Sequence, residues 1–268
     1  MGTHLTPTAR TALDAIRTHP SRSLLAFDFD GTLAPIVENP ENSRPYPGAV
    51  DALKVLADRG ARIAVITGRP AEVAVKYGEF EDVTGMTVLG HYGAERWDQG
   101  TGQITAPPPP PALDDVRREL PGVLGEADAW VEEKGRAVAV HTRRAKNPQA
   151  LWEALNPPIT DLATRHGLIV EPGRLVLEIR PAGMDKGAAL TTLAEETGAE
   201  AILYAGDDLG DIPAFDAVTT LRETTGTPGL LICSGSKEVT ALTTRADLTV
   251  DGPAGVVRLL NQLVNELS

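Results

Sequence analysis

Leu24-Leu25-Ala26-Phe27-Asp28-Phe29-Asp30-Gly31-Thr32-Leu33 is the stretch on which the fold turns. Four apolar residues run without alternation into two carboxylates spaced two apart, and a glycine follows. An unbroken apolar run of this length reads as a strand covered on both faces, and the Gly-containing end reads as its turn. Side chains two apart on a strand project to the same side, so Asp28 and Asp30 can face one site. Two carboxylates sharing a site are unfavourable unless a cation or a proton intervenes. A hard divalent ion such as Mg2+ suits oxygen ligands and can bind a substrate phosphate at the same time.

Working outward, residues 5–18 carry weak helical periodicity through Leu5, Ala9, Ala12, Leu13 and Ile16. A helix is predicted from about Pro47 to Gly60, and Arg62 to Thr67 is a second apolar strand, after which Pro70 opens another helix. Apolar strands alternating with amphipathic helices imply a parallel sheet covered on both sides. The rhythm changes after Trp97: residues 98–111 are Gly-rich and end in five consecutive prolines, Pro107 to Pro111, which read as a stiff connector. From 112 to about 180 the order is helix, two strands (Ala129–Lys134 and Arg136–Thr142), helix, two strands (Leu168–Pro172 and Arg174–Ile179). Adjacent strands joined by turns at Gly135 and Gly173 predict an antiparallel sheet. After Pro181 the β-α alternation resumes, with helices predicted at 185–197, near 211–218 and at 254–267, and strands at 201–205, 229–233 and 247–250. The expectation is one α/β core, residues 1–106 and 181–268, interrupted by an α+β module at 107–180, with no internal repeat.

The formal charge of −12 argues against broad nucleic-acid binding, which needs a basic surface. It also means that an anionic substrate would depend on local positive charge from lysine, arginine, a metal or helix N-termini. The single Cys233 excludes an internal disulfide framework, fits a reducing cytoplasm and reads as a small buried hydrophobe within Leu230-Leu231-Ile232. No apolar run approaches the roughly 20 residues of a membrane helix, and no signal-peptide core is visible, so a cytoplasmic protein is expected. Met1-Gly2-Thr3-His4-Leu5-Thr6 satisfies the short, degenerate myristoylation pattern, which carries little weight. A monomer is expected.

Three further strand ends join the first. Thr67-Gly68-Arg69 offers a hydroxyl and backbone amides suited to a phosphate oxygen, and Lys186 can balance charge on a nucleophile and a phosphate. Gly206-Asp207-Asp208-Leu209-Gly210-Asp211 supplies more candidate metal ligands. Read singly, Lys186 is an ordinary solvated helix residue, Thr67-Gly68 a plain turn, and 207–211 a helix cap. Read together, in order and on separate strand ends, they make a metal-bridged phosphate cradle with a carboxylate nucleophile at hand.

This set resembles the haloacid dehalogenase superfamily, with Asp28–Leu33, Thr67, Lys186, and Asp207 with Asp211 standing in the order of its four motifs. The resemblance covers the whole core and implies a Rossmann-like parallel-sheet core with an inserted α+β cap domain. It implies that Asp28 attacks phosphorus, and that Asp30 protonates the leaving oxygen and then deprotonates the hydrolytic water. It further implies that the Asp28 carboxylate, the Asp30 backbone carbonyl and Asp207 hold Mg2+, with Asp208 and Asp211 as auxiliary ligands.

Within the module, Glu132-Glu133-Lys134-Gly135, His141-Thr142-Arg143 and Leu177-Glu178-Ile179-Arg180, with Gly90-His91-Tyr92-Gly93-Ala94-Glu95 before it, resemble the trehalose-6-phosphate phosphatases. The resemblance implies a small phosphorylated sugar as substrate, with Glu132, Lys134 and Glu178 on its hydroxyls and His141 and Arg143 in support; Gly68 and Arg69 would meet the phosphate. Alternating charges on antiparallel strands are also what a merely solvated face looks like. Gly210 and Ile212 stand where that family carries Thr and Glu, and Thr142 where it carries Tyr, so another sugar or pseudo-disaccharide phosphate stays open. A phosphosugar mutase of the same superfamily is the enzymatic rival. The non-enzymatic rival is a receiver-type switch phosphorylated on aspartate, which is about half this length and lacks an acid placed like Asp30.

Overall fold

The structure is a computed structural model that describes residues 6–235 and 240–267. Met1–Leu5, and with them most of the lipidation pattern, lie outside the described residues. In chain order the elements are α1 (Pro7–Thr18), β1 (Ser23–Phe27), α2 (Ala49–Asp58), β2 (Arg62–Ile66), α3 (Ala71–Gly78), β3 (Thr87–Gly90), β4 (Glu95–Asp98), β5 (Gln103–Thr105), α4 (Ala112–Leu124), β6 (Trp130–Glu133), β7 (Val138–His141), α5 (Pro148–Arg165), β8 (Leu168–Gly173), β9 (Val176–Pro181), α6 (Lys186–Thr197), β10 (Ala201–Gly206), α7 (Ile212–Thr224), β11 (Gly229–Gly235), α8 (Thr240–Thr243), β12 (Leu248–Asp251) and α9 (Gly252–Glu266). They fall into two compact units, one of residues 1–106 with 185–268, the other of 107–184.

The first unit is built on a sheet of order β12-β11-β10-β1-β2-β3-β4-β5. The six strands from β12 to β3 run parallel, while β4 and β5 are antiparallel at one edge. Strand alternation divides the apolar side chains between two faces. Leu25, Phe27, Ile63, Val65, Leu203 and Leu230 pack with α1, α2, α3 and α9 on one side. Leu24, Ala26, Ala64, Ile66, Ile202 and Leu231 pack with α6 and α7 on the other. Burial on both sides is why β1 is apolar at every position of Leu24–Phe27. Strand β1 lies between β10 and β2, so the chain leaves it in one direction for β2 and returns on the other side as β10. This is the topological switch point at which open α/β sheets place their ligand crevice, outside the carboxyl ends of the strands.

Local chemistry sets the ends of the elements. Thr6 caps α1 by accepting from the Ala9 amide at 3.1 Å, with Pro7 in the first helical turn. Helix α2 starts at Ala49 and not at Pro47, because Gly48 ahead of it adopts φ +86°. Asp185 caps α6 by accepting from Ala188 at 2.8 Å, and this places Lys186 at its first position.

The sequence reading also needs correction at the edge of this sheet and at α7. Strand β3 was not recognised, and the stretch after Trp97, read only as Gly-rich, instead pairs β4 with β5 and extends the sheet by a hairpin edge. All three residues of β5 are exposed, so no apolar pattern marks it. Helix α7 runs to Thr224, well past 218.

The second unit carries an antiparallel sheet of order β6-β7-β9-β8. One face is closed by α4 and α5 through Leu113, Val116, Ile159, Leu162, Val138 and Leu177. Strand β9 begins at Val176 and not Arg174, because Arg174-Leu175 form the turn, with Leu175 at φ +60°. The opposite face of this sheet is polar.

Candidate active site

The carboxyl ends of β1, β2 and β10 and the first turn of α6 bring one charged cluster together. Asp28 follows β1, Thr67 follows β2, Asp207 follows β10 and Lys186 opens α6; all four are at least nine-tenths buried. Lys186 Nζ lies 2.7 Å from Asp28 Oδ1 and 2.7 Å from Asp211 Oδ1. Asp211 is fully buried and forms the hub. Its Oδ1 also accepts from the Tyr204 hydroxyl at 2.7 Å, and its Oδ2 accepts from the amides of Asp207 and Asp208 at 2.9 and 3.1 Å. Two glycines make this approach possible: a Cβ on Gly31 would sit 2.0 Å from Asp207 Oδ2, and one on Gly206 would sit 2.3 Å from Asp211 Cγ.

Among the described residues, three carboxylates with one lysine leave the cluster short of positive charge. Burial above all, opposed in part by Lys186, lifts the Asp28 carboxyl to about 8. Burial and then the neighbouring Asp28 lift Asp207 to about 10. Burial works against the Lys186 charge as well, but Asp211 and Asp28 outweigh it and hold that ammonium well above its ordinary range.

The donor set fits a divalent cation. Asp28, Asp207 and Asp211 each offer one oxygen within 4.8 Å of the others, and among the described residues Asp207 Oδ1 is buried without a hydrogen-bond partner. All-oxygen carboxylate ligation of this kind is the chemistry of Mg2+ and similar hard ions.

Asp30 and Asp208 stand outside this group. Asp30 is gripped bidentately by Arg69, at 2.5 and 2.7 Å, and accepts from the Ser43 hydroxyl at 3.0 Å. Arg69, expected at the phosphate, thus has its guanidinium on Asp30. Asp208 caps the short turn 209–211 by accepting from the Gly210 amide at 2.9 Å. Beside them, the Thr67 hydroxyl accepts from the Arg69 amide at 3.2 Å, with Gly68 between.

On the polar face of the second unit's sheet, the register pairs Trp130 with His141 and Ala139 with both Glu132 and Glu178. Lys134, just past β6, reaches Glu178 at 2.5 Å, and among the described residues Glu178 Oε1 is buried without a hydrogen-bond partner. His141 Nε2 meets Glu132 at 2.8 Å, and the Trp130 indole stacks on His141 with centroids 4.6 Å apart. Arg143 is exposed and stays apart from these pairs; it is Arg144 that lies over the Trp130 ring, at 4.9 Å.

Sequence reasoning missed Tyr204, Ser43 and Trp130. Tyr204 lay hidden in an apolar strand. Ser43 sits in a loop 13 residues from its partner Asp30, and nothing local marks it. The odd exposed tryptophan among alternating charges was the one available signal.

A mixed sheet, parallel at its centre, with an antiparallel α+β module gives this chain a haloacid dehalogenase-like fold. A haloacid dehalogenase-like hydrolase from Bacteroides thetaiotaomicron shares this fold at a TM-score of 0.62 with 16% identity, over 90% of this chain and 99% of that one. The trehalose-phosphatase family model matches residues 26–252, and the chain belongs to that family. It is 32% identical over 263 residues to the trehalose-phosphate phosphatase of Mycobacterium leprae, covering 90% of this chain and 57% of that protein. The chain therefore spans little more than half the length of that relative. The C-terminal domain of the C. albicans trehalose-6-phosphate phosphatase superposes at a TM-score of 0.80 with 21% identity, over 99% of both chains. Among the described residues, no helix is long and apolar enough to cross a membrane.

Proposed function

We propose that this chain is a Mg2+-dependent phosphatase that hydrolyses trehalose 6-phosphate to trehalose and phosphate. The observation that carries the reading is the buried Asp28–Lys186–Asp211 relay beside Asp207, whose Oδ1 has no hydrogen-bond partner among the described residues and suits a cation. Asp28, the backbone carbonyl of Asp30 and Asp207 would hold Mg2+, which supplies charge neutralisation for the phosphoryl group. Asp28 attacks phosphorus in line and the sugar oxygen departs, leaving an aspartyl-phosphate that water then cleaves. Lys186 holds the Asp28 carboxylate in place and balances its charge, and Asp211, fixed by Tyr204 and two amides, orients the lysine. Asp30 delivers a proton to the departing oxygen and afterwards takes one from water. Arg69 grips Asp30 and adds positive charge beside the phosphate, while Thr67 and the Gly68 amide donate to its oxygens.

Glu132, Lys134 and Glu178 are assigned to the sugar hydroxyls, with His141 holding Glu132. The buried, unpartnered Glu178 Oε1 supports a ligand donor there, because leaving such an oxygen without one is costly. Hydrogen-bonding groups of this kind discriminate between sugars better than an apolar pocket does.

The test is to trap the covalent intermediate. Enzyme mixed with Mg2+ and trehalose 6-phosphate is quenched in acid and reduced with borohydride, which converts an aspartyl-phosphate to homoserine. Homoserine at position 28 is the expected result. No modified residue under turnover conditions, or modification elsewhere, would remove Asp28 as nucleophile.

A further inference from the structure

Residues 91–93 form a turn of unusual backbone. His91 and Tyr92 lie at φ +47° and +59°, followed by Gly93 at +100°. Two successive non-glycine residues in the left-handed region cost energy, and such outliers persist only where surrounding contacts impose them. Those contacts are with the loop after β2. The His91 amide donates to the Arg69 carbonyl and the Tyr92 amide to the Thr67 carbonyl, both at 2.9 Å. The Tyr92 side chain lies over Gly68, where a Cβ would sit 2.7 Å from the hydroxyl oxygen and 2.9 Å from Cζ. Glu95 secures the far end by accepting from the Ala71 amide at 2.8 Å. Gly93 packs against α6, its missing Cβ only 2.8 Å from Ala189 Cβ.

The arrangement sorts donors from acceptors. Two of the three carbonyl oxygens of Thr67-Gly68-Arg69, which would repel a phosphate, are occupied by the 91–92 amides. The Thr67 hydroxyl accepts from the Arg69 amide and keeps its own proton to give. Donors fixed in advance toward the place of an anion need no reorganisation when charge develops there.

We propose that the His91-Tyr92-Gly93 turn sets the donor geometry of the phosphate loop, with Tyr92 as a positioning residue acting through Gly68. The inference rests on the phosphatase reading. It assigns Tyr92 no contact with the sugar, so its effect belongs to the phosphoryl group whatever alcohol carries it.

The experiment compares full-length wild type, Tyr92→Leu, Tyr92→Phe, Gly68→Ala and the Gly68→Ala/Tyr92→Leu double variant. It reads kcat and KM with an aryl phosphate and with trehalose 6-phosphate, competitive inhibition by inorganic phosphate at saturating Mg2+, and thermal melting. Tyr92→Leu should lower kcat about tenfold on both esters and weaken inorganic phosphate inhibition by a similar factor, the size expected when one transition-state donor is misaligned. Tyr92→Phe, which keeps the ring over Gly68, should recover most of the loss. The losses from Tyr92→Leu and Gly68→Ala should not add in the double variant, since both act on one contact. The proposal is overturned if folded Tyr92→Leu keeps wild-type kcat and phosphate inhibition, or if it loses only melting temperature. Should Tyr92→Leu not fold, Gly68→Ala decides, and wild-type kinetics there overturn the proposal. If wild type itself hydrolyses no ester, the phosphatase reading fails first. Wild-type turnover with unaffected variants isolates the failure to Tyr92.

Discussion

In the proposed mechanism Asp28 and Asp207 carry the central chemistry, and their surroundings give two expectations. Replacing Asp28 by Asn would remove the proposed nucleophile while keeping size and shape, so turnover should fall below about a hundredth of wild type in a steady-state assay. A variant retaining more would assign attack to another group. The second expectation concerns the metal-free chain. Folding lifts the two carboxyls from the ordinary 3.8 to about 8 and about 10. Between those limits the folded state holds protons that the unfolded state has released, so stability falls as pH rises. It is fully present below the unfolded value and is lost as pH climbs through the folded values, while Lys186 stays charged throughout. With chelator, the melting temperature should therefore be lower at about pH 8 than at about pH 5.5, and Mg2+ should raise it more at the higher pH. Equal melting at both, with no pH-dependent gain from Mg2+, would show that the carboxyls do not share an uncompensated site.

Elements differ in how plainly their sequence announces them. Strand β1 is legible because both faces are covered, leaving no polar position between Leu24 and Phe27. Strand β5 is not, since Gln103–Thr105 form an exposed edge with neither alternation nor an apolar run. The site divides in a similar way. Asp28, Thr67, Lys186 and Asp207 each sit at an element end, which pattern reading can find. Ser43 and Tyr204 enter only through tertiary packing that no local pattern encodes. Helix α7 shows what packing contributes: Phe215 is fully buried and meets Tyr204 edge-on at 5.9 Å. Phe215→Ala should cost about 3–5 kcal/mol in chemical denaturation. It should also loosen the ring that holds Tyr204 on Asp211, so activity should fall beyond the loss of folded protein. On the second unit's polar face, Lys134→Ala frees a buried Glu178 of its partner. Turnover of trehalose 6-phosphate should drop about tenfold or more while an aryl phosphate is spared. Equal loss on both esters would make Lys134 structural.

For the whole molecule, the α/β class and the family resemblance were readable from motif order along the chain, and the structure and the family match agree with them. What the order of motifs could not give is how a strongly acidic chain would accept the proposed anionic substrate. In the proposed function its net charge of −12 would be opposed locally by Lys186, by Arg69 paired with Asp30, and by a divalent cation on the Asp28, Asp207 and Asp211 ligand set. Gly210 lies in the turn capped by Asp208, and Thr142 is fully buried. The substrate has to be found by assay. Phosphate release from trehalose 6-phosphate, sucrose 6-phosphate, glucose 6-phosphate and an aryl phosphate, each with Mg2+ and with chelator, measures this directly. The expected result is turnover of the trehalose ester well above the others, abolished by chelator. Turnover of the aryl ester alone would contradict the sugar assignment, and release unaffected by chelator would contradict the metal-dependent carboxylate centre itself.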